Sequence, residues 1–152
     1  GHTRGQMCLY CEDEKLLFSG DHVLFDITPN ICSMGPDTNM LGKYLESLEK
    51  IRVLDVKTVL PAHRSMGAVT MYERIDALLR HHKERLDETE DIVRRKAGQS
   101  AYDIAGSKNW EDFPPGQKWF AMGEALSHLD LLKAEGRIVR EEKDGVFVYR
   151  GV

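Results

Sequence analysis

The chain has 152 residues, 41% apolar and 30% charged, the balance of one globular domain or two small ones. No run of about eighteen apolar residues occurs, which excludes a membrane-spanning helix, and a net charge of −4 argues against a surface built to clamp nucleic acid. No basic segment followed by an apolar stretch opens the chain, so no secretion signal is expected, and the odd set Cys8, Cys11 and Cys32 fits free thiols in a reducing cytoplasm.

Residues 6–10 and 15–19 are short apolar runs separated by Cys11-Glu-Asp-Glu, the pattern of a two-stranded hairpin. Cys8 and Cys11 stand three apart on the first strand and so face opposite sides, as ordinary strand cysteines rather than a zinc knuckle or redox pair. Residues 26–37 hold two prolines, an asparagine and two aspartates, and read as a loop. Asp37 or Thr38 is placed to cap the helix that follows, where Leu41, Leu45, Leu48 and Ile51 share one face. Residues 55–60 alternate as a strand that Pro61 ends. A long helix covers about 72–96, with Ile75, Leu78, Leu79, His82, Leu86 and Val93 near one face and Gly98 as its stop. Strand, helix, strand, helix in this order predicts an α/β fold.

From residue 100 the pattern changes. Ser100-Ala-Tyr-Asp103 resembles a capping box and opens a short helix over 101–106. A loop over 107–117 contains Pro114-Pro115-Gly116, and a helix over 118–135 turns Phe120, Leu126, Leu129 and Leu132 inward, with Gly136 as its cap. Residues 137–142 and 146–150 alternate around Asp144-Gly145, a hairpin turn. Helices followed by a two-stranded wing make a small α+β winged-helix plan, with a boundary near 97–100.

Three polar residues stand out by position. His2 lies in Gly-His-Thr-Arg-Gly just before a strand, Asp21 in Ser-Gly-Asp-His at a strand end, and His63 in Leu-Pro-Ala-His at another strand end. Side chains at strand tips on one sheet edge converge, and imidazole with carboxylate suits zinc, with iron or manganese as alternatives.

On Gly1-His2-Thr3 with Gly5, Phe18-Ser19-Gly20-Asp21 and Leu60-Pro61-Ala62-His63, the chain resembles the metallo-β-lactamase superfamily. Glu73-Arg-Ile-Asp, His81-His82 and Arg85-Leu86 resemble the next helix in one bacterial branch, and the tail from Ser100 resembles that branch's winged-helix domain. The resemblance implies half of an αββα sandwich over 1–97 and a winged helix over 98–152. It implies that His2 ligates a first metal, Asp21 bridges two metals, and His63 ligates the second. The activity implied is hydrolysis by metal-activated water of a small acyl, ester or thioester substrate. Alternatives are a ribonuclease-like phosphodiesterase and a non-catalytic winged-helix interaction module.

Two departures matter. Arg4 replaces a proline common after Gly-His-Thr, at a position that is not a ligand. The family's first motif, H-x-H-x-D-H, is absent from these residues. The expectation is a chain that starts in mid-domain, binds metal weakly if at all, shows little turnover alone, and associates with the missing N-terminal half or a second copy.

Other candidates have plainer readings. His22 lines the pocket or packs beside it; Thr28-Pro29-Asn30 shapes the site mouth or only a loop; Arg64 meets a substrate anion or a surface carboxylate. His81 and His82 cover a helix surface, and His128 is structural. Trp110, Trp119 and Phe120 read as packing residues. Residues 97–152 carry seven Lys and Arg against nine Asp and Glu, so nucleic-acid binding is not favoured.

Overall fold

The computed structural model describes residues 1–33, 35–107 and 112–152. The chain forms two compact units, one of Gly1–Asn30 with Gly42–His82, the other of Ile31–Leu41 with Lys83–Val152.

The first unit is a three-stranded sheet with helices. Strand β1 (Leu9–Cys11) pairs antiparallel with β2 (Leu16–Gly20), and β2 runs parallel to β3 (Thr58–Pro61). The hairpin turns at Lys15, whose φ of 50° closes a bond from its N–H to the Glu12 carbonyl. The expected first strand at 6–10 begins later, at Leu9, because Gln6 is held in a turn: its N–H donates to the Thr3 carbonyl and its amide to the Ser19 carbonyl. The pleat sends Leu17 and Ser19 inside and leaves Phe18 46% and Leu9 66% exposed directly opposite each other. Helix α1 (Met40–Arg52) contributes Tyr44 and Leu48 to this core, and the start of α2 (Met71–Arg95) contributes Met71, Ile75 and Leu78. Tyr72 ties α2 to the connection before β3, donating its hydroxyl to the Leu54 carbonyl at 2.7 Å and accepting from Val56 N–H at 3.2 Å.

In the second unit, α2 continues to Arg95 and buries Leu86, Thr89 and Val93. Gly98, at φ 82°, turns the chain into a two-residue strand, β4 (Gln99–Ser100). Sequence periodicity missed β4, since two residues carry none. Its Gln99 side chain donates to the Ile92 and Lys96 carbonyls at the end of α2. Ser100 caps α3 (Ala101–Gly106) in the expected reciprocal box with Asp103. Helix α4 (Pro115–Ala134) starts earlier than expected, because Pro115 sits at its first position, where a missing N–H costs nothing. It ends with Gly136 at φ 71°, where Gly136 N–H reaches the Lys133 carbonyl and Arg137 N–H the Leu132 carbonyl. Strands β5 (Ile138–Lys143) and β6 (Val146–Gly151) form the expected hairpin, with Asp144 and Gly145 both left-handed, and the sheet order is β4-β6-β5.

Leu129 and Leu132 are buried as expected, but Trp119 is 75% and Phe120 56% exposed. Apolar residues run around the first turns of α4, so no single face gathers them. Trp110 lies outside the described residues. Segment Ile31–Leu41 belongs to this unit through polar bonds: Ser127 Oγ donates to the Ile31 carbonyl at 2.5 Å, and Ser33 Oγ to Asp130 at 3.0 Å. Lys133 and Arg140 both donate to Asp37.

Candidate metal centre

Strands β2 and β3 lie side by side and parallel, with Gly20 opposite Pro61. Ala62 N–H donates to the Gly20 carbonyl at 3.0 Å, so the two chains leave the sheet together. Asp21 and His63 therefore emerge beside one another. Gly20 is required here: its φ is 57°, and the Gln6 amide occupies the place a Cβ would take. Beyond it the chain turns tightly, with His22 N–H on the Ser19 carbonyl and the buried Ser19 hydroxyl on the Val23 carbonyl.

His63 Nε2 stands 3.0 Å from Asp21 Oδ1. The contact is close but lacks hydrogen-bond geometry, and Asp21 Oδ1 is a buried oxygen with no hydrogen-bond donor. His2 Nδ1 is likewise buried without a hydrogen-bond partner. Orphaned acceptor atoms are costly in a protein interior unless a cation satisfies them. Two ligands of one tetrahedral zinc ion stand about 3.3 Å apart, given bonds of roughly 2.0–2.2 Å, so the Asp21–His63 pair fits a shared metal. Among the described residues, no group of three or more His, Cys, Asp or Glu side chains is gathered to hold an ion. The structure thus brings together two of the three sequence-predicted ligands, with His2 near His22 rather than closed onto the pair.

His22 is 1% exposed and packs rather than lining an opening. Its Nε2 lies 2.9 Å from Ser47 Oγ, and its ring stands edge-on to Tyr44 with centroids 5.3 Å apart. Burial above all pushes its pKa down to about 4, with smaller contributions in the same direction from nearby positive charge including His2, so the imidazole is neutral at physiological pH. Tyr44 also stands edge-on to His82, which is 1% exposed. The expectation of His82 on the helix surface is corrected: it occupies the buried face one turn beyond Leu78. His128, 2% exposed with Nδ1 2.8 Å from the Glu124 carbonyl, is structural as expected. Arg64 is exposed at φ 71°.

Sequence reasoning missed the residues that hold these turns. Arg74 donates from Nε to the Leu24 carbonyl at 2.6 Å and from Nη2 to the Ile27 carbonyl at 2.7 Å. The signal was its place between Met71 and Ile75 on the apolar stripe of α2, where a cation must find buried acceptors. Asp26 accepts from both N–H and Oγ of Ser65, each at 2.8 Å. No spacing in the sequence announces that pair. The three cysteines are not joined in disulfides, with Cys11 exposed and Cys8 and Cys32 half-buried.

The family model described as Metallo-beta-lactamase superfamily matches residues 1–63, and that described as Metallo-beta-lactamase-like, C-terminal domain matches residues 86–152. A solved beta-lactamase domain protein from Burkholderia ambifaria is 36% identical and superposes with a TM-score of 0.88, covering 100% of this chain and 46% of that one. The lactamase-like protein nscB of Aspergillus fumigatus is 31% identical over 122 residues, 69% of this chain and 34% of the relative. The atrochrysone carboxyl ACP thioesterase AacuM of Aspergillus aculeatus is 35% identical over 69 residues, 45% of this chain and 19% of the relative. The chain spans about a third or less of these curated relatives. Family models over residues 1–63 and 86–152, and a mixed α/β fold that superposes along its full length, place the chain in the metallo-β-lactamase superfamily, a family of hydrolases.

Proposed function

We propose that residues 1–97 are the C-terminal part of a metal-dependent hydrolase domain, that residues 98–152 are a winged-helix domain, and that the whole protein cleaves a small acyl ester or thioester. The observation that carries this reading is the juxtaposition of Asp21 and His63 at the tips of two parallel strands, with an acceptor oxygen left unsatisfied between them. His2, Asp21 and His63 would hold the metal, zinc first and iron or manganese as alternatives. A metal pair, when bound, lowers the pKa of the attacking water toward neutrality and stabilises developing negative charge. The chain's own part is orientation: Gly20 and the Ala62–Gly20 bond aim the two ligands, and the neutral His22 packs behind them without adding charge. The thioesterase named among the relatives supports the acyl substrate class.

The winged-helix reading draws support from α3, α4 and the β5–β6 wing joined to β4. It favours a packing role over nucleic-acid reading, because residues 97–152 hold more carboxylates than cations. Three protein ligands are fewer than two metals need, so residues 1–152 alone bind metal weakly and turn over little. The open apolar face around Leu9 and Phe18 takes the second sheet of such a domain. Among the described residues no helix is long and apolar enough to cross a membrane, and three cysteines outside any disulfide suit the cytoplasm.

The test is hydrolysis of a short acyl thioester by the complete gene product and by residues 1–152, before and after chelation. Activity in the complete protein that disappears with the metal and returns with zinc supports the reading. Turnover indifferent to chelation, or a metal-loaded complete protein inert to esters and thioesters, sinks it.

A further inference from the structure

The turn after His63 is unusual for the residues it uses. Arg64 sits at φ 71°, a region costly for a side chain with a Cβ. Gly67 is left-handed too, at φ 74°, and a Cβ there would run into the Phe25 ring. Something must hold Arg64 in place. Ser65 provides the hold: its N–H and its Oγ both donate to the two oxygens of Asp26, and its Oγ accepts from Gly67 N–H at 3.2 Å. Asp26 lies five residues after Asp21, in the loop whose Leu24 and Ile27 carbonyls are gripped by Arg74. The two turns carrying Asp21 and His63 are thereby fastened beyond the sheet as well as within it.

We propose that Asp26 is a positioning residue: its two bonds to Ser65 hold Arg64 in the left-handed conformation and so aim His63 at Asp21. The inference rests on the reading of Asp21 and His63 as metal ligands, though the fastening itself does not need a metal. Its bidentate geometry is selective. A carboxylate offers a separate oxygen to the N–H and to the hydroxyl, whereas an amide offers one acceptor oxygen for the two and an alanine none.

The experiment compares the unaltered chain with Asp26→Ala, Ser65→Ala and the double variant Asp26→Ala/Arg64→Asn. Asparagine tolerates the left-handed region, so it supplies by conformational preference what Asp26 supplies by bonding. Three readouts are taken: NMR shifts of the His63 ring in the metal-free chain, Co2+ titration of the complete gene product carrying the same substitutions followed by visible absorption, and the unfolding midpoint. Expected are a displaced His63 signal in Asp26→Ala and Ser65→Ala, Co2+ affinity reduced about 10- to 100-fold, a nearly unchanged unfolding midpoint, and recovery of signal and affinity in the double variant. An undisturbed His63 signal in Asp26→Ala overturns the proposal. So does a displaced signal that Arg64→Asn fails to restore, or one that only follows a general loss of fold. If even the complete gene product takes no Co2+, the ligand reading of Asp21 and His63 is what suffers, and the NMR shifts still decide the role of Asp26.

Discussion

Tyr44 donates its hydroxyl to the backbone carbonyl of His22, 3.1 Å away, while its ring stands edge-on to the His22 imidazole. Both residues are buried, so neither group has water as a substitute. Removing the hydroxyl leaves a buried carbonyl without its donor. Tyr44→Phe is expected to lower stability by about 1–2 kcal/mol, and Tyr44→Ala by roughly 3–5 kcal/mol through the cavity it opens. Denaturant unfolding followed by tyrosine fluorescence and circular dichroism measures both.

Asp37 responds to pH with a definite sign. The hydrogen bonds from Lys133 and Arg140 hold its carboxyl below the ordinary aspartate range. Between the folded and unfolded values, the unfolded chain binds more protons than the folded one. The stabilisation is therefore complete above the ordinary value of about 3.9 and is lost as pH falls through the lower folded value. The difference in unfolding midpoint between the unaltered chain and Asp37→Asn should shrink as pH drops from about 6 to about 2. A difference independent of pH would show that the two cations do not act through the charge of Asp37.

Gly123 lies where α4 meets the Ile31–Leu41 segment. A Cβ there would stand 2.6 Å from Cys32 Sγ and 3.0 Å from Cys32 Cβ. Gly123→Ala gains about 1 kcal/mol of helix propensity but must displace Cys32, so a net loss of roughly 1–3 kcal/mol is expected. Adding Cys32→Ala removes the sulfur and should recover most of that loss. A double-mutant cycle on unfolding midpoints reads the coupling directly.

Metal content tests the proposal that Asp21 and His63, at the two strand tips, are ligands. In the complete protein, Asp21→Asn and His63→Gln should each weaken metal binding by more than the roughly 10- to 100-fold typical of a supporting residue. His128→Gln, remote in role and bonded to a helix carbonyl, should leave bound metal unchanged. Elemental analysis of each purified variant checks this.

Much of the fold was legible because its signals are local. Ser100 and Asp103 announce a helix start through bonds within four residues, and Asp144-Gly145 announces a hairpin because both positions tolerate positive φ. The apolar spacing of Ile75, Leu78, Leu86 and Val93 marks a helix face whatever it packs on. What failed was non-local. Trp119 and Phe120 looked like core by composition, but exposure depends on which partner arrives. The candidate ligands were legible as Gly-Asp and Pro-Ala-His at strand ends; that β2 and β3 are parallel neighbours, and so bring Asp21 to His63, is a matter of topology. Asp26 and Ser65 are thirty-nine positions apart and carry no pattern at all.

The side chain of Gln99 closes two carbonyls at the end of α2, while Gly98 N–H is given to Tyr149 on β6. The last turn of that helix and the final strand therefore share one set of bonds through two consecutive positions, Gly98 and Gln99. They should open as a single cooperative unit, so amide hydrogens near Arg94 and near Tyr149 ought to exchange with solvent at matched rates. Fraying at the C-terminus would then travel to a helix far upstream in sequence, with no separate event needed to loosen it.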